Sequence, residues 1–181
     1  VKIADYYSRS AQGGVGFAKC AGNYAASFFP TEEAQKEGYD QVIWTDSIEH
    51  KYIEEAGTMN VWVRIGDKLL TAPTSERILN GVTRDSLLNL AKDMGLDVEV
   101  RPIAVAEMYE AYKNGELKEV FGCGTAVVVN SYDAIGFGEE RAEIGILPEE
   151  ESFAARLKTA LRNIQYGLVE DPYGWRIKIG E

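Results

Sequence analysis

Histidine occurs once in these 181 residues and cysteine twice, at Cys20 and Cys123. Two thiols cannot build a disulfide framework, and one imidazole leaves little with which to hold zinc. Both cysteines therefore read as unpaired thiols, and no metal is expected. Basic residues are in deficit: 19 Lys and Arg stand against 29 Asp and Glu, for a formal charge of −10. So acidic a chain lacks the basic footprint of a nucleic-acid binder. No stretch approaches the roughly 18 consecutive apolar residues of a membrane span, and no signal peptide, linker or repeat is visible. These absences set aside nucleic acid and membrane as partners and point to a cytoplasmic location. What is present is a 45% apolar composition, enough for a real core, at a length that suits one compact domain.

Periodicity supplies the elements. Val1 to Arg9 reads as a strand arriving from upstream, since it offers no start signal. Glycines 13, 14 and 16 interrupt it, and a helix follows from Asn23 to Lys36, stopped by Gly38 and kinked or split at Pro30. Strands are expected over Gln41–Asp46, Lys51–Glu55 and Asn60–Ile65, the last turning through Gly66-Asp67 into Lys68–Thr71. Leu87, Leu88, Leu90 and Ala91 give Thr83–Met94 an apolar helical face, and Gly95 ends it. Asp97–Ile103 alternates as a strand and Ala104–Lys113 as a helix. Val120-Phe121 and Ala126–Val129 read as strands around a glycine-rich turn. A last helix spans Glu149–Tyr166, its three leading glutamates suited to the positive end of a helix dipole. Strands and helices do not strictly alternate, so the fold class is α+β (mixed α/β), with a mixed sheet or partial barrel.

Neither glycine-rich stretch is a nucleotide loop. In Gly13-Gly14-Val15-Gly16-Phe17-Ala18-Lys19-Cys20, Ala18 and Cys20 stand where a Walker loop needs Gly and Ser or Thr. Gly122-Cys123-Gly124-Thr125-Ala126 leads into a Val-rich strand, where a dinucleotide fingerprint opens a helix. Both read as tight turns. Asn80-Gly81-Val82-Thr83-Arg84 is a better place for a phosphate, because free N–H groups and the dipole at a helix start favour an anion. A plain helix entry remains the alternative there. Lys19 is either a solvated side chain or a buried amine able to form Schiff bases. Glu55 is either a strand-end carboxylate or that amine's partner, and pattern alone leaves both choices open.

Taken in order, these segments resemble the branched-chain amino-acid aminotransferases, fold-type IV enzymes that use pyridoxal 5′-phosphate. The matching residues are Gly13-Gly14-Val15-Gly16, Lys19 with Gly22-Asn23-Tyr24, and Glu55-Ala56-Gly57-Thr58-Met59-Asn60. They continue with Leu79-Asn80-Gly81-Val82-Thr83-Arg84, Phe121-Gly122-Cys123-Gly124-Thr125-Ala126, Ile164-Gln165-Tyr166-Gly167 and Asp171-Pro172-Tyr173-Gly174-Trp175. The likeness runs from about Tyr7 onward. Three positions depart from it: Asn80 replaces a common Pro, and Val127 and Asn130 replace the two cysteines of the Cys-x-x-Cys of mammalian members.

The resemblance implies the fold-type IV large domain, a mixed-sheet pseudo-barrel flanked by helices. It implies Lys19 as the Schiff-base lysine and proton shuttle, Glu55 at the pyridine nitrogen, and Tyr24 near the cofactor's O3′ or imine. Leu79 would pack on the ring, while Gly81, Val82, Thr83 and Thr125 receive the phosphate. Thr58 and the Ala126 backbone match groups that take the substrate carboxylate. The reaction implied moves an amino group between L-Leu, L-Ile or L-Val and 2-oxoglutarate. A D-amino-acid aminotransferase, an aminodeoxychorismate lyase, or a non-catalytic cofactor-binding fragment are the alternatives. The family has a small N-terminal domain ahead of this point and is typically homodimeric. Residues 1–181 are therefore expected to be the C-terminal, cofactor-bearing domain, poorly active alone.

Overall fold

Met59–Ile65 alternates cleanly, and its two faces build two different cores. Val61 and Val63 point into one cluster with Ile43, Ile53, Leu70, Val120 and Ile135, whereas Trp62 points into another with Leu69, Phe121 and Leu157. A strand buried on both faces must have neighbours on both edges and cover above and below.

The computed structural model describes residues 1–180. In chain order they form β1 (Lys2–Ile3), α1 (Gly22–Lys36), β2 (Val42–Thr45), β3 (Tyr52–Ala56), β4 (Met59–Ile65) and β5 (Lys68–Thr71). Next come α2 (Val82–Asp93), β6 (Asp97–Val100), β7 (Ile103–Ala104), α3 (Val105–Lys113) and β8 (Leu117–Gly124). The chain closes with β9 (Val128–Tyr132), β10 (Ala134–Phe137), β11 (Glu140–Glu143) and α4 (Phe153–Gln165). The strands make one mixed sheet in the order β11-β10-β1-β2-β3-β4-β5-β6, with β8 added beside β4, β9 beside β8, and β7 beside β3. At Asn60, β4 is in register with Glu55 of β3 and with Cys123 of β8, so three strands meet at one point. The fold is α+β with a curled mixed sheet, as expected.

Helices cover both faces. α2 contributes Leu87, Leu90 and Ala91, and α4 contributes Ala154, Leu157, Leu161 and Ile164, to the face carrying Trp62 and Phe121. Those two rings stack at 6.0 Å with planes 6° apart, a contact worth about 0.5–1.5 kcal/mol beyond burial. α3 places Met108 and Ala111 on the opposite face. Among the described residues no helix is long and apolar enough to cross a membrane.

Several expectations are corrected. The Val1–Arg9 strand is only Lys2–Ile3, paired in parallel with β2 and β10; from Asp5 the chain leaves the sheet, and Tyr6 and Tyr7 are exposed. α1 is not split at Pro30, which is buried inside it, because Ala34 beyond the proline packs on Tyr39, Val42 and Trp44 and holds the second half in line. Asp97–Ile103 is two strands: β6 pairs with β5 and β7 with β3, separated by Arg101-Pro102. Gly122, Cys123 and Gly124 lie inside β8, not in a turn, which falls at Thr125–Val127. A Cβ on Gly122 would stand 2.5 Å from Tyr132 Oη, so glycine there reflects close packing within a strand. The β10–β11 hairpin was not anticipated.

The last helix also starts later than its glutamates suggest. Glu149, Glu150 and Glu151 precede α4, and the carboxylate at its N-terminus is Glu119, reaching across from β8. Glu119 accepts from the N–H groups of Phe153 (2.9 Å) and Ala154 (3.2 Å) and from the Ser152 hydroxyl (2.5 Å), and pairs with Arg64 at 3.1 Å. Ser152 Oγ in turn accepts from Ala155 N–H at 3.0 Å, completing the cap.

Candidate active site

The loop between β1 and α1 carries Lys19, and its glycines let it lie flat on a neighbouring segment. A Cβ on Gly16 would stand 2.5 Å from the Arg77 carbonyl, so only glycine fits there. Phe17 N–H donates to Glu76 O at 3.0 Å, and the Arg9 and Ser10 side chains donate to Arg77 O at 2.5 and 2.9 Å. From the other side, the buried Asn23 amide donates to Val15 O (2.8 Å) and Ala18 O (2.7 Å). Lys19 is thus an exposed side chain on a well-fastened backbone, rather than a buried amine.

Glu55 faces it from β3. The carboxylate is buried: Oε1 accepts from Leu79 N–H at 3.0 Å and from the Asn60 amide at 3.3 Å, while Oε2 pairs with Arg9 at 2.6 Å. Burial pushes the Glu55 carboxyl up to about 7, against the opposing pull of Arg9 and of the Leu79 N–H. Its neighbour Glu54 is also raised by burial, with Arg77 paired to it at 2.5 Å working the other way.

Asn60 couples this acid to the phosphate-candidate turn. Its amide also donates to Leu79 O at 2.8 Å, and a Cβ on Gly81 would stand 2.1 Å from its Oδ1. Gly81 therefore has to be glycine, and it is the N-cap of α2, in extended conformation and without a side-chain cap. The first N–H groups of α2 are left to other acceptors.

Together these segments enclose a cavity of about 250 Å³, lined by Lys19, Glu55, Thr58, Asn60, Leu79, Asn80, Gly81, Val82, Thr83, Cys123, Gly124 and Thr125. Eight of the ten sequence-predicted site residues line it: Lys19, Glu55, Thr58, Leu79, Gly81, Val82, Thr83 and Thr125. Tyr24, in the first turn of α1, lines a smaller adjoining cleft with Arg9, Lys19, Glu55 and Leu79. Ala126 is exposed on the β8–β9 turn and lines neither. Cys123 is a poor nucleophile: burial pushes its thiol up to about 12, and its sulfur accepts from Trp62 Nε1 at 3.2 Å.

Sequence reasoning missed Arg9, the partner of Glu55, and assigned no role to Asn60 or Asn23. Arg9 and Glu55 are far apart in the chain, and no local spacing signals the pair. The two asparagines stood inside quoted motifs, but the carbonyls that their amides reach, at Val15, Ala18 and Leu79, are set by the fold and not by local spacing.

The comparisons with known proteins identify the family. A family model described as amino-transferase class IV matches residues 10–133. A probable branched-chain-amino-acid aminotransferase of Staphylococcus epidermidis is 42% identical over 179 residues, covering 99% of this chain and 50% of that protein. Branched-chain-amino-acid transaminase 1 of Bacillus subtilis is 40% identical, with the same shares covered. The chain thus spans about half the length of the curated relatives it matches. Among solved structures, the branched-chain amino acid aminotransferase from Escherichia coli superposes with a TM-score of 0.80 at 26% identity, over 97% of this chain and 55% of its own. The T.th. branched-chain amino acid aminotransferase complexed with N-(5′-phosphopyridoxyl)-L-glutamate gives 0.79 at 27%, over 96% and 55%.

Proposed function

This chain belongs to the class IV amino-transferase family, and from that premise we propose that it is the cofactor-bearing domain of a branched-chain amino-acid aminotransferase. The observation that carries the reading is the meeting, on one cavity, of the Lys19 amine, the buried Glu55 carboxylate and an α2 N-terminus without a side-chain cap. The substrates would be L-Leu, L-Ile or L-Val with 2-oxoglutarate. The whole enzyme would add an N-terminal domain and pair as a homodimer in the cytoplasm.

The residues suit pyridoxal 5′-phosphate. A phosphate needs donors, and the N–H groups of Val82 and Thr83 with the Thr125 hydroxyl are available at the positive end of a helix. A pyridine nitrogen needs an acid that can hold a proton there near neutral pH, and Glu55 has its carboxyl raised to about 7. When bound, the cofactor supplies an aldehyde and a ring that accepts the electron pair left on substrate Cα.

The chain's own groups do the rest. Lys19 Nζ would be the amine that holds the cofactor through its aldehyde and, when free, the group that takes the proton from substrate Cα and returns it. Glu55 holds the ring-nitrogen proton, with Arg9 and Asn60 fixing the two carboxylate oxygens. Tyr24 would orient the groups around the amine, Leu79 would pack on the ring, and Thr58 with the Ala126 backbone would receive the substrate carboxylate.

Adding pyridoxal 5′-phosphate should produce a visible absorbance band that Lys19→Ala abolishes; a band that survives the substitution contradicts the assignment. Supplied with amino donors, the whole enzyme should turn over L-Leu in preference to D-Ala, and residues 1–181 alone should be poorly active. Turnover of D-Ala alone would sink the substrate reading.

A further inference from the structure

Arg84, in the first turn of α2, is a buried cation with little to neutralise it. It is 5% exposed, Nη2 donates to the Ala72 carbonyl at 2.8 Å, and Nε has no partner. Among the described residues no carboxylate pairs with it, and the neighbouring Asp85 is exposed. An unpaired buried guanidinium is unfavourable, and the first turn of a helix makes it more so, because the dipole there is also positive. Burial accordingly lowers the Arg84 pKa; the groups that pull the other way are Cys123, which lines the active-site cavity, and Asp85. Gly81, whose position also fixes Asn60, packs its backbone against the Arg84 Cβ. The first turn of α2 thus carries a buried guanidinium together with the positive end of the dipole, and its amides have no side-chain cap. Such an arrangement is stabilised by an anion at that end.

We propose that Arg84 is a positioning residue for the cofactor phosphate, its buried charge just behind Val82 and Thr83 making this helix end select a dianion over an uncharged group. The inference rests on the cofactor reading above. A purely architectural arginine would instead serve only the Ala72 carbonyl.

The test compares binding of pyridoxal 5′-phosphate and of unphosphorylated pyridoxal, by absorbance titration, in wild type, R84M, R84Q and R84K, together with melting temperatures with and without inorganic phosphate. The expected result is that R84M and R84Q bind pyridoxal 5′-phosphate about tenfold or more weakly and pyridoxal within about twofold of wild type. R84K should recover most of the loss. Without phosphate, R84M should melt no lower than wild type, and the rise induced by inorganic phosphate should shrink. Equal weakening of both ligands, an unchanged preference, or an R84M chain that fails to fold would each overturn the proposal. A wild type that does not prefer the phosphorylated form would overturn the cofactor reading itself, and this inference with it.

Discussion

At the start of α4, Ser152 caps Ala155 while Glu119 accepts from Phe153, Ala154 and the Ser152 hydroxyl, and Arg64 pairs with Glu119 from the other side. At the start of α2, Gly81 offers no side-chain oxygen, and Val82 and Thr83 line a cavity with a buried arginine behind them. Both helices pack on the same face of the same sheet. One helix end is completed from within the chain; the other is left to a ligand. The contrast separates structure from function more sharply than any single motif does, because the two ends share the same backbone chemistry.

Breaking the α4 end should have the largest effect. Glu119→Ala removes the buried partner of Arg64 and leaves three donors unmet, and should cost about 3–5 kcal/mol in urea or thermal unfolding. A loss below about 1 kcal/mol would mean that this end is not completed as described.

Next in size is the pH response of Glu55. Its folded pKa, about 7, lies above the ordinary 4.5, so between those values the folded chain holds a proton that the unfolded chain has released. Stability of the wild type should therefore fall, relative to Glu55→Gln, as pH rises from about 4.5 to 7, by on the order of 1–3 kcal/mol. A flat difference across that window would show that Arg9 keeps Glu55 ionised throughout.

Gly81→Ala should act at the open end. The new Cβ must displace Asn60 Oδ1, costing about 1–2 kcal/mol of stability and weakening pyridoxal 5′-phosphate binding at the same time. Retained affinity would uncouple Asn60 from the site. Smallest is Ser152→Ala, which should lose about 1 kcal/mol and leave cofactor binding untouched.

What could be read in the sequence was whatever is local. The apolar spacing of Leu87, Leu90 and Ala91 marks α2, and Asn80, Gly81, Val82 and Thr83 at its start line the cavity. Glu55 stands out only through the resemblance, and the structure buries it on the cavity beside Lys19. Long-range partners leave no trace: Glu119 on β8 caps a helix that starts 34 residues after it, and Arg9, which precedes α1 in the chain, pairs with Glu55, which follows it. The three glutamates before α4 offered a local substitute for Glu119, and they misplaced its start. Gly122 looked like turn chemistry because the Tyr132 hydroxyl that excludes a side chain there lies on another strand. Pro30 looked like a helix break because the packing of Ala34 on Trp44 is not visible from the helix alone.

The central claim is that Lys19 attaches the cofactor in the cavity shared with Glu55 and the α2 N-terminus. Borohydride reduction of the chain mixed with pyridoxal 5′-phosphate, followed by peptide mapping, tests it directly. The account predicts a stable phosphopyridoxyl label on the peptide carrying Lys19, absent in Lys19→Ala and diminished in Gly81→Ala. A label spread over other lysines with Lys19 unmodified would contradict it.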